Sequence, residues 1–178
     1  ISDYYKYLED NIFLTQELLN LPNKKFVYIS TIDVLQSSPT TYALFKRFAE
    51  SIVKKDPNAL ILRCSMMLGP TMKPNHITKI KNNEPKIGLS SNSTFNYILM
   101  ENLFEFFNSK DYLQYSGIVN FIANDSIELS KVKNYFNSTT DLGDYTYKTL
   151  DLDSPNHIHT LNNKYNNSSL KNLKKYYE

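Results

Sequence analysis

Two short apolar runs, each preceded by a helical pattern, constrain this chain more than anything else in it. Phe26-Val-Tyr-Ile-Ser30 and Ala59-Leu-Ile-Leu-Arg-Cys64 are continuous rather than alternating, which is how strands buried on both faces read. Ahead of the first, residues 3–20 place Tyr4, Tyr7, Leu8, Ile12, Leu14, Leu18 and Leu19 at three- and four-residue steps until Pro22 stops the pattern. That spacing predicts a helix. Between the two runs, residues 41–55 predict a second helix, broken by Asp56-Pro57-Asn58. Parallel strands need a crossover connection, usually a helix. The order helix, strand, helix, strand therefore predicts an α/β fold in which a parallel sheet is flanked by helices.

Beyond Gly69-Pro70 the rhythm changes. Residues 75–82 predict a short helix, 86–89 and 95–99 short strands, 100–108 a helix and 117–123 a strand. Ser126 is placed to cap a helix over 127–137, with Glu128 early in its first turn. Tyr145–Leu152 alternates like an edge strand, and a polar stretch leads to a terminal helix over 168–177. No internal repeat interrupts this reading: a continuous α/β body with a C-terminal lobe.

Composition narrows function mainly by exclusion. The chain has 178 residues with 20 Lys+Arg against 18 Asp+Glu, a net +2, too even for electrostatics to imply a nucleic-acid or membrane partner. No apolar run approaches the ~18–20 residues of a membrane helix. A single cysteine, Cys64, excludes an internal disulfide framework and a multi-cysteine zinc site, and fits a reducing, cytoplasmic setting. His157-x-His159 has chelating spacing on a strand, but with His76 elsewhere and no third ligand in register, no metal site is expected. The four glycines, at 69, 88, 117 and 143, are never close enough to build a phosphate-cradling loop. The first residue is isoleucine, not methionine.

The chemistry-bearing stretch runs from 26 to 70. Tyr42 and Lys46 lie four apart on a predicted helix, so both side chains leave one face. A free tyrosine, with a pKa near ~10, is a poor base at neutral pH. An ammonium one turn away favours the phenolate and makes proton exchange with a substrate hydroxyl feasible. Thr31 stands at the end of the strand Phe26–Ser30, where a parallel sheet presents its carboxyl edge to a ligand crevice. Its hydroxyl is expected to hold the substrate oxygen beside Tyr42. The plainer reading of the trio is a strand-end hydroxyl, a core tyrosine and a solvated lysine; for Cys64 it is a small buried apolar residue.

In context the trio carries more. Strand, Ser30-Thr31, loop, Tyr42-x-x-x-Lys46 on a helix, then a strand running into Leu62-Arg63 and Gly69-Pro70 resembles the extended short-chain dehydrogenase/reductase family, the NAD-dependent epimerase/dehydratases. Tyr7-Leu-Glu-Asp-Asn11-Ile-Phe-Leu-Thr15 is similar to the family helix whose asparagine approaches the cofactor. Phe95-Asn-Tyr-Ile-Leu-Met-Glu-Asn102-Leu resembles the family's Arg-Asp-Tyr-Ile-His-Val-x-Asp-Leu segment, and Gly117-Ile-Val-Asn120-Phe-Ile-Ala its later strand. The likeness covers roughly residues 3–137, in order.

This resemblance implies a Rossmann-like fold without its N-terminal strands and with a small C-terminal substrate lobe. It implies a single truncated NAD(P)-binding domain over 1–178, with about 70–100 and 138–178 contributing to substrate binding. Thr31, Tyr42 and Lys46 would be catalytic: Tyr42 as acid/base on a sugar hydroxyl, Thr31 orienting that oxygen, Lys46 bonding the nicotinamide ribose. Asn11, Ser30, Tyr42, Lys46, Cys64 and Ser65 would bind NAD or NADP; Thr31, Met66 and Phe95 would face the substrate, a nucleotide sugar. Helices 3–20 and 41–55 would pair with their copies in a homodimer. The departures are equally specific. The family's Gly-x-x-Gly-x-x-Gly turn is absent, Met66 stands for an asparagine, Phe95 for an arginine that clamps the nucleotide diphosphate, and Asn102 for an aspartate. Two explanations stay open: an upstream portion carries the missing turn and the protein is an enzyme, or the chain is a non-catalytic remnant serving as a binding or dimerisation module.

Overall fold

The computed structural model describes residues 2–22, 24–149, 159–160, 165 and 167–178. In chain order they form α1 (Ser2–Leu8), a π-helical turn (Glu9–Phe13), α2 (Leu14–Asn20), β1 (Val27–Thr31), a 3₁₀ turn (Ile32–Leu35), α3 (Thr41–Val53), β2 (Leu60–Cys64) and β3 (Met66–Leu68). Then follow α4 (His76–Lys81), β4 (Lys86–Leu89), β5 (Thr94–Phe95), β6 (Tyr97–Leu99), α5 (Met100–Asn108), a second 3₁₀ turn (Asp111–Gln114) and β7 (Gly117–Phe121). The series ends with β8 (Ile127–Glu128), α6 (Leu129–Tyr135), β9 (Asp141–Tyr145), β10 (His159–Thr160) and α7 (Ser169–Tyr177). Contacts group these into two units: Ile1–Ser65 with Phe104–Phe121 and Leu150–Leu161, and Met66–Leu103 with Ile122–Thr149 and Asn162–Glu178.

The first unit holds the predicted parallel sheet, in the order β1-β2-β7-β10. All five residues of β2 are buried, as its unbroken apolar run requires. Each fully buried aliphatic such as Leu60, Ile61 and Leu62 contributes about 1.5–3 kcal/mol relative to exposure. Register aligns Ser30, Arg63 and Asn120 in one row, and Thr31, Cys64 and Phe121 in the next, at the carboxyl edge. The helix α3 begins where Thr40 accepts from the Ala43 amide at 3.3 Å, an N-cap. It lays Ala49 and Val53 on Tyr28 and Ile61.

Where helix 3–20 was expected, the chain is helical throughout but widens to a π turn at Glu9–Phe13. Periodicity at three and four residues does not register one inserted residue, and such turns concentrate at functional sites.

The second unit is built from three two-stranded pairs: β3 with β6, β4 with β9, and β5 with β8. Three expectations are corrected here. The run 95–99 is split at Asn96, whose amide donates to the carbonyls of Ala123 at 3.0 Å and Asp125 at 2.8 Å and accepts from the Ala123 amide at 2.8 Å. The helix expected over 127–137 starts two residues later and is preceded by Glu128, not Ser126, because Ile127 and Glu128 stay extended to pair with Phe95 and Thr94. The strand expected at Tyr145–Leu152 is instead Asp141–Tyr145, parallel to β4, and residues 150–152 lie outside those described. Gly143 permits that pairing: a Cβ there would meet the Gly88 carbonyl oxygen at 2.6 Å.

Candidate active site

The carboxyl edge of the first unit's sheet and the start of α3 bring the trio's elements together. Tyr42 is in the first turn of α3 and keeps 42% of its surface exposed. Lys46 follows one turn later. Its ammonium donates to the Ile29 carbonyl at 3.0 Å, lies 4.8 Å from the centre of the Tyr28 ring and 5.8 Å from that of Tyr42. The lysine thus sits between two phenol rings, a cation–π position, with its charge anchored to β1.

Thr31 ends β1, and its Oγ1 accepts from the Asp33 amide at 3.2 Å, capping the 3₁₀ turn that opens the loop to Tyr42. Arg47, the residue after Lys46, donates through Nε to the Val34 carbonyl at 2.9 Å and through Nη2 to those of Val34 and Gln36. This tie between the loop and the helix was not foreseen; nothing in local spacing pairs Arg47 with carbonyls 11 to 13 residues back.

The electrostatics differ from the expectation for Tyr42. Its phenol is pushed above the ordinary tyrosine value, first by burial and then by the Asp33 charge, with Cys64 and Tyr7 adding to the rise. The Lys46 ammonium, which the spacing predicts would favour the phenolate, is bonded to the Ile29 carbonyl, and the net shift of the phenol is upward. Lys46 itself is lowered by burial, against an opposing pull from Cys64 and Glu50. Burial pushes the Cys64 thiol up to about 12, so it is inert, and its Sγ points to the Leu62 carbonyl at 3.8 Å.

The remaining residues expected at the cofactor are all in this unit. Asn11 is buried in the π turn and donates to the Tyr7 carbonyl at 3.1 Å; Tyr7 stacks on Phe45 of α3, centroids 5.7 Å apart. The Ser30 hydroxyl donates to Glu50 Oε1 at 2.7 Å. Glu50 also takes Arg63 Nε on Oε1 at 2.9 Å and Arg63 Nη2 on Oε2 at 2.6 Å, with side-chain exposures of 1% for Glu50 and 8% for Arg63. Nothing in the sequence reading singled out Glu50, although it continues the Tyr42, Lys46 spacing by one further turn. Ser65, just past β2, is buried with a hydroxyl that has no partner among the described residues.

Met66 and Phe95 belong to the second unit. Phe95 stacks on His76, ring centroids 3.9 Å apart, and on Tyr147, 4.8 Å apart. Burial lowers His76 to about 4, and its Nε2 lies 2.8 Å from the Tyr97 hydroxyl. Met66 opens β3, half-buried. Asn102 is buried and donates to the Tyr165 carbonyl at 3.1 Å. Among the described residues no three His, Cys, Asp or Glu side chains gather to hold a metal, and no helix is long and apolar enough to cross a membrane. His157 lies outside the described residues, and of His159 only the backbone is described.

A parallel α/β sheet whose carboxyl edge ends beside a tyrosine- and lysine-bearing helix defines a Rossmann-like protein. Solved structures agree. The chain is similar to UDP-glucuronic acid 4-epimerase from Bacillus cereus in complex with NAD, with TM-score 0.63 and 18% identity, covering 83% of this chain and 61% of that one. It is similar to MoeE5 in complex with UDP-glucose and NAD, with TM-score 0.69 and 16% identity over 86% of this chain and 65% of that one. It is also similar to RMD from Pseudomonas aeruginosa complexed with NADPH, with TM-score 0.62 and 14% identity over 78% and 62%. The chain therefore spans less than two thirds of the length of these structures. No protein-family model and no curated protein sequence matches it. At these identities the likeness establishes the fold.

Proposed function

We propose that the full-length protein is an NAD(P)-dependent epimerase/dehydratase-like oxidoreductase of the extended short-chain dehydrogenase/reductase family. Its substrate class is a nucleotide sugar or a related carbonyl or hydroxyl compound. The observation that carries this reading is the placement of Tyr42 and Lys46 one turn apart on α3, with the Lys46 ammonium 5.8 Å from the Tyr42 ring centre, on an element packed against the strand that ends in Thr31. The structures it resembles hold NAD or NADPH, and two of them hold, or are named for, UDP-sugars.

The residues present fit the nicotinamide end of such a cofactor. The first unit carries a buried, unpartnered Ser65 hydroxyl just past β2, and on α3 a lysine ammonium and a half-exposed phenol, on a sheet of the parallel kind that receives ligands at its carboxyl edge. The bound dinucleotide supplies hydride transfer. Tyr42 moves the accompanying proton at its phenol oxygen, and its raised pKa keeps it protonated, ready to act as the acid when a carbonyl is reduced. Lys46, whose ammonium is bonded to the Ile29 carbonyl, would hold a ribose hydroxyl of the cofactor. Thr31 orients the reacting oxygen through the hydrogen of its hydroxyl, since Oγ1 only accepts in the cap. Asn11, Ser30 and Cys64 shape the wall behind it, Ser30 with its hydrogen committed to Glu50.

On the substrate side we place Thr31, Met66 and Phe95. Phe95 brings neither charge nor a fork to a diphosphate, and its ring is already stacked on His76 and Tyr147. The anionic part of a nucleotide sugar must therefore be met by other donors. Fluorescence titration of NADH and NADPH into folded full-length protein is expected to saturate for one of them; absence of saturable binding by either overturns the proposal.

We further propose a cytoplasmic homodimer built on the helices over 3–20 and 41–55. Phe13, Leu14 and Leu18 of the first, and Leu44 and Phe48 of the second, are exposed on the first unit, and exposed apolar side chains on paired helices are what such a seam would bury. Sedimentation equilibrium is expected to give a dimer for the native protein and a monomer for Phe48→Asp. A native monomer removes the dimer.

A further inference from the structure

We propose that Glu50 is a positioning residue for the reaction inferred above: its carboxylate ties the helix that bears Tyr42 and Lys46 to the two strands whose ends form the site. The inference rests on that functional reading but stands on its own geometry. Tyr42, Lys46 and Glu50 are spaced at four-residue steps on α3, so they share one stripe, and any roll of the helix moves all three together. Glu50 is where the stripe is fastened. It accepts from Ser30 on β1 and takes both Nε and Nη2 of Arg63 on β2, a forked, orientation-specific pair.

The fastened residues are the immediate predecessors of Thr31 and Cys64, which are direct cross-strand partners. One carboxylate therefore sets the helix rotation, the end of β1 and the end of β2. Stability does not account for such a group. A fully buried ion pair is often matched or bettered by apolar residues of the same volume, whereas it holds a unique geometry. A small misplacement of a proton donor is costly to rate, about 10²-fold for 1 Å.

Electrostatics add a second handle. Facing the Lys46 ammonium are Tyr28 on β1, Tyr42 and Glu50 on its own helix, and Cys64 on β2. At neutral pH the Cys64 thiol is protonated and the phenols are neutral, so Glu50 is the charge in that set that holds Lys46 up against burial. Removing it lowers the lysine pKa further.

The test uses Glu50→Gln and Arg63→Lys in the full-length protein, with Glu50→Met/Arg63→Met as the fallback should either single variant fail to fold. The first readout needs no cofactor: NMR titration of ¹³C-labelled lysine side chains. Lys46 is expected to titrate at lower pH in Glu50→Gln than in the native protein. The second is steady-state turnover with NAD and UDP-glucuronic acid or UDP-glucose. Here kcat is expected to fall ~10-fold or more in both single variants while KM stays within about twofold, the mark of an interaction made in the transition state. A Lys46 titration and a kcat unchanged in folded variants overturn the positioning role. Failure of the native protein to bind NADH or NADPH overturns the functional reading instead, and the cofactor-free titration still decides whether the Glu50 tie acts on Lys46.

Discussion

Tyr42→Phe is expected to reduce kcat by ~10²-fold or more while leaving NADH affinity near that of the native protein. The substitution deletes one oxygen and keeps the ring. Tyr42 keeps 42% of its surface exposed, so little stability is at stake. What is lost is the proton that must accompany hydride transfer. The direction of the phenol's shift, upward through burial and the Asp33 charge, adds a pH signature. Below its raised pKa the phenol carries its proton, so reduction of a carbonyl should hold its rate through neutral pH and decline only on the alkaline side. Tyr42→Phe should abolish that alkaline limb as well as the rate. The measurement is kcat against pH for both proteins; an unchanged rate in the variant would remove Tyr42 from the chemistry.

Arg63→Ala is expected to destabilise the protein by about 3–5 kcal/mol, because it strands a carboxylate in the interior. Glu50 is 1% exposed and has Arg63 as its charged partner, with Ser30 supplying a neutral hydrogen bond. Replacing both members, Glu50→Met with Arg63→Met, should recover most of that loss, since the apolar pair has no charge to desolvate. Urea unfolding of the native protein, Glu50→Met, Arg63→Met and the double variant forms a cycle whose coupling term isolates the pair. A single variant as stable as the native protein would show that the pair contributes nothing to folding. Stability restored in the double variant without restored turnover would separate the geometric role of the pair from its energetic one.

The fold was legible where the buried pattern was unambiguous. The continuous apolar runs became β1 and β2, paired parallel, with α3 between them, because a segment buried on both faces leaves few alternatives. Elements whose limits depend on a distant partner were not legible. β3 is three residues long and exists by pairing with β6. The late start of α6 follows from β8 pairing with β5, and the early placement of β9 from the close approach of Gly143 to Gly88. None of these partners is near in sequence, and propensity over three or four residues is weak beside a ladder of hydrogen bonds.

The candidate site divides along the same line. Spacing alone placed Tyr42 and Lys46 on one helical face, and the apolar runs alone put Thr31 at the sheet's carboxyl edge. Periodicity specifies which way a side chain leaves its own element. It says nothing of what stands opposite. That Lys46 bonds the Ile29 carbonyl, that Phe95 stacks on His76 and Tyr147, and that Glu50 is buried on Arg63 were decided by packing. Each of those partners lies 11 or more residues away along the chain, and only the folded backbone brings them within the few ångströms over which charge and hydrogen bonding act.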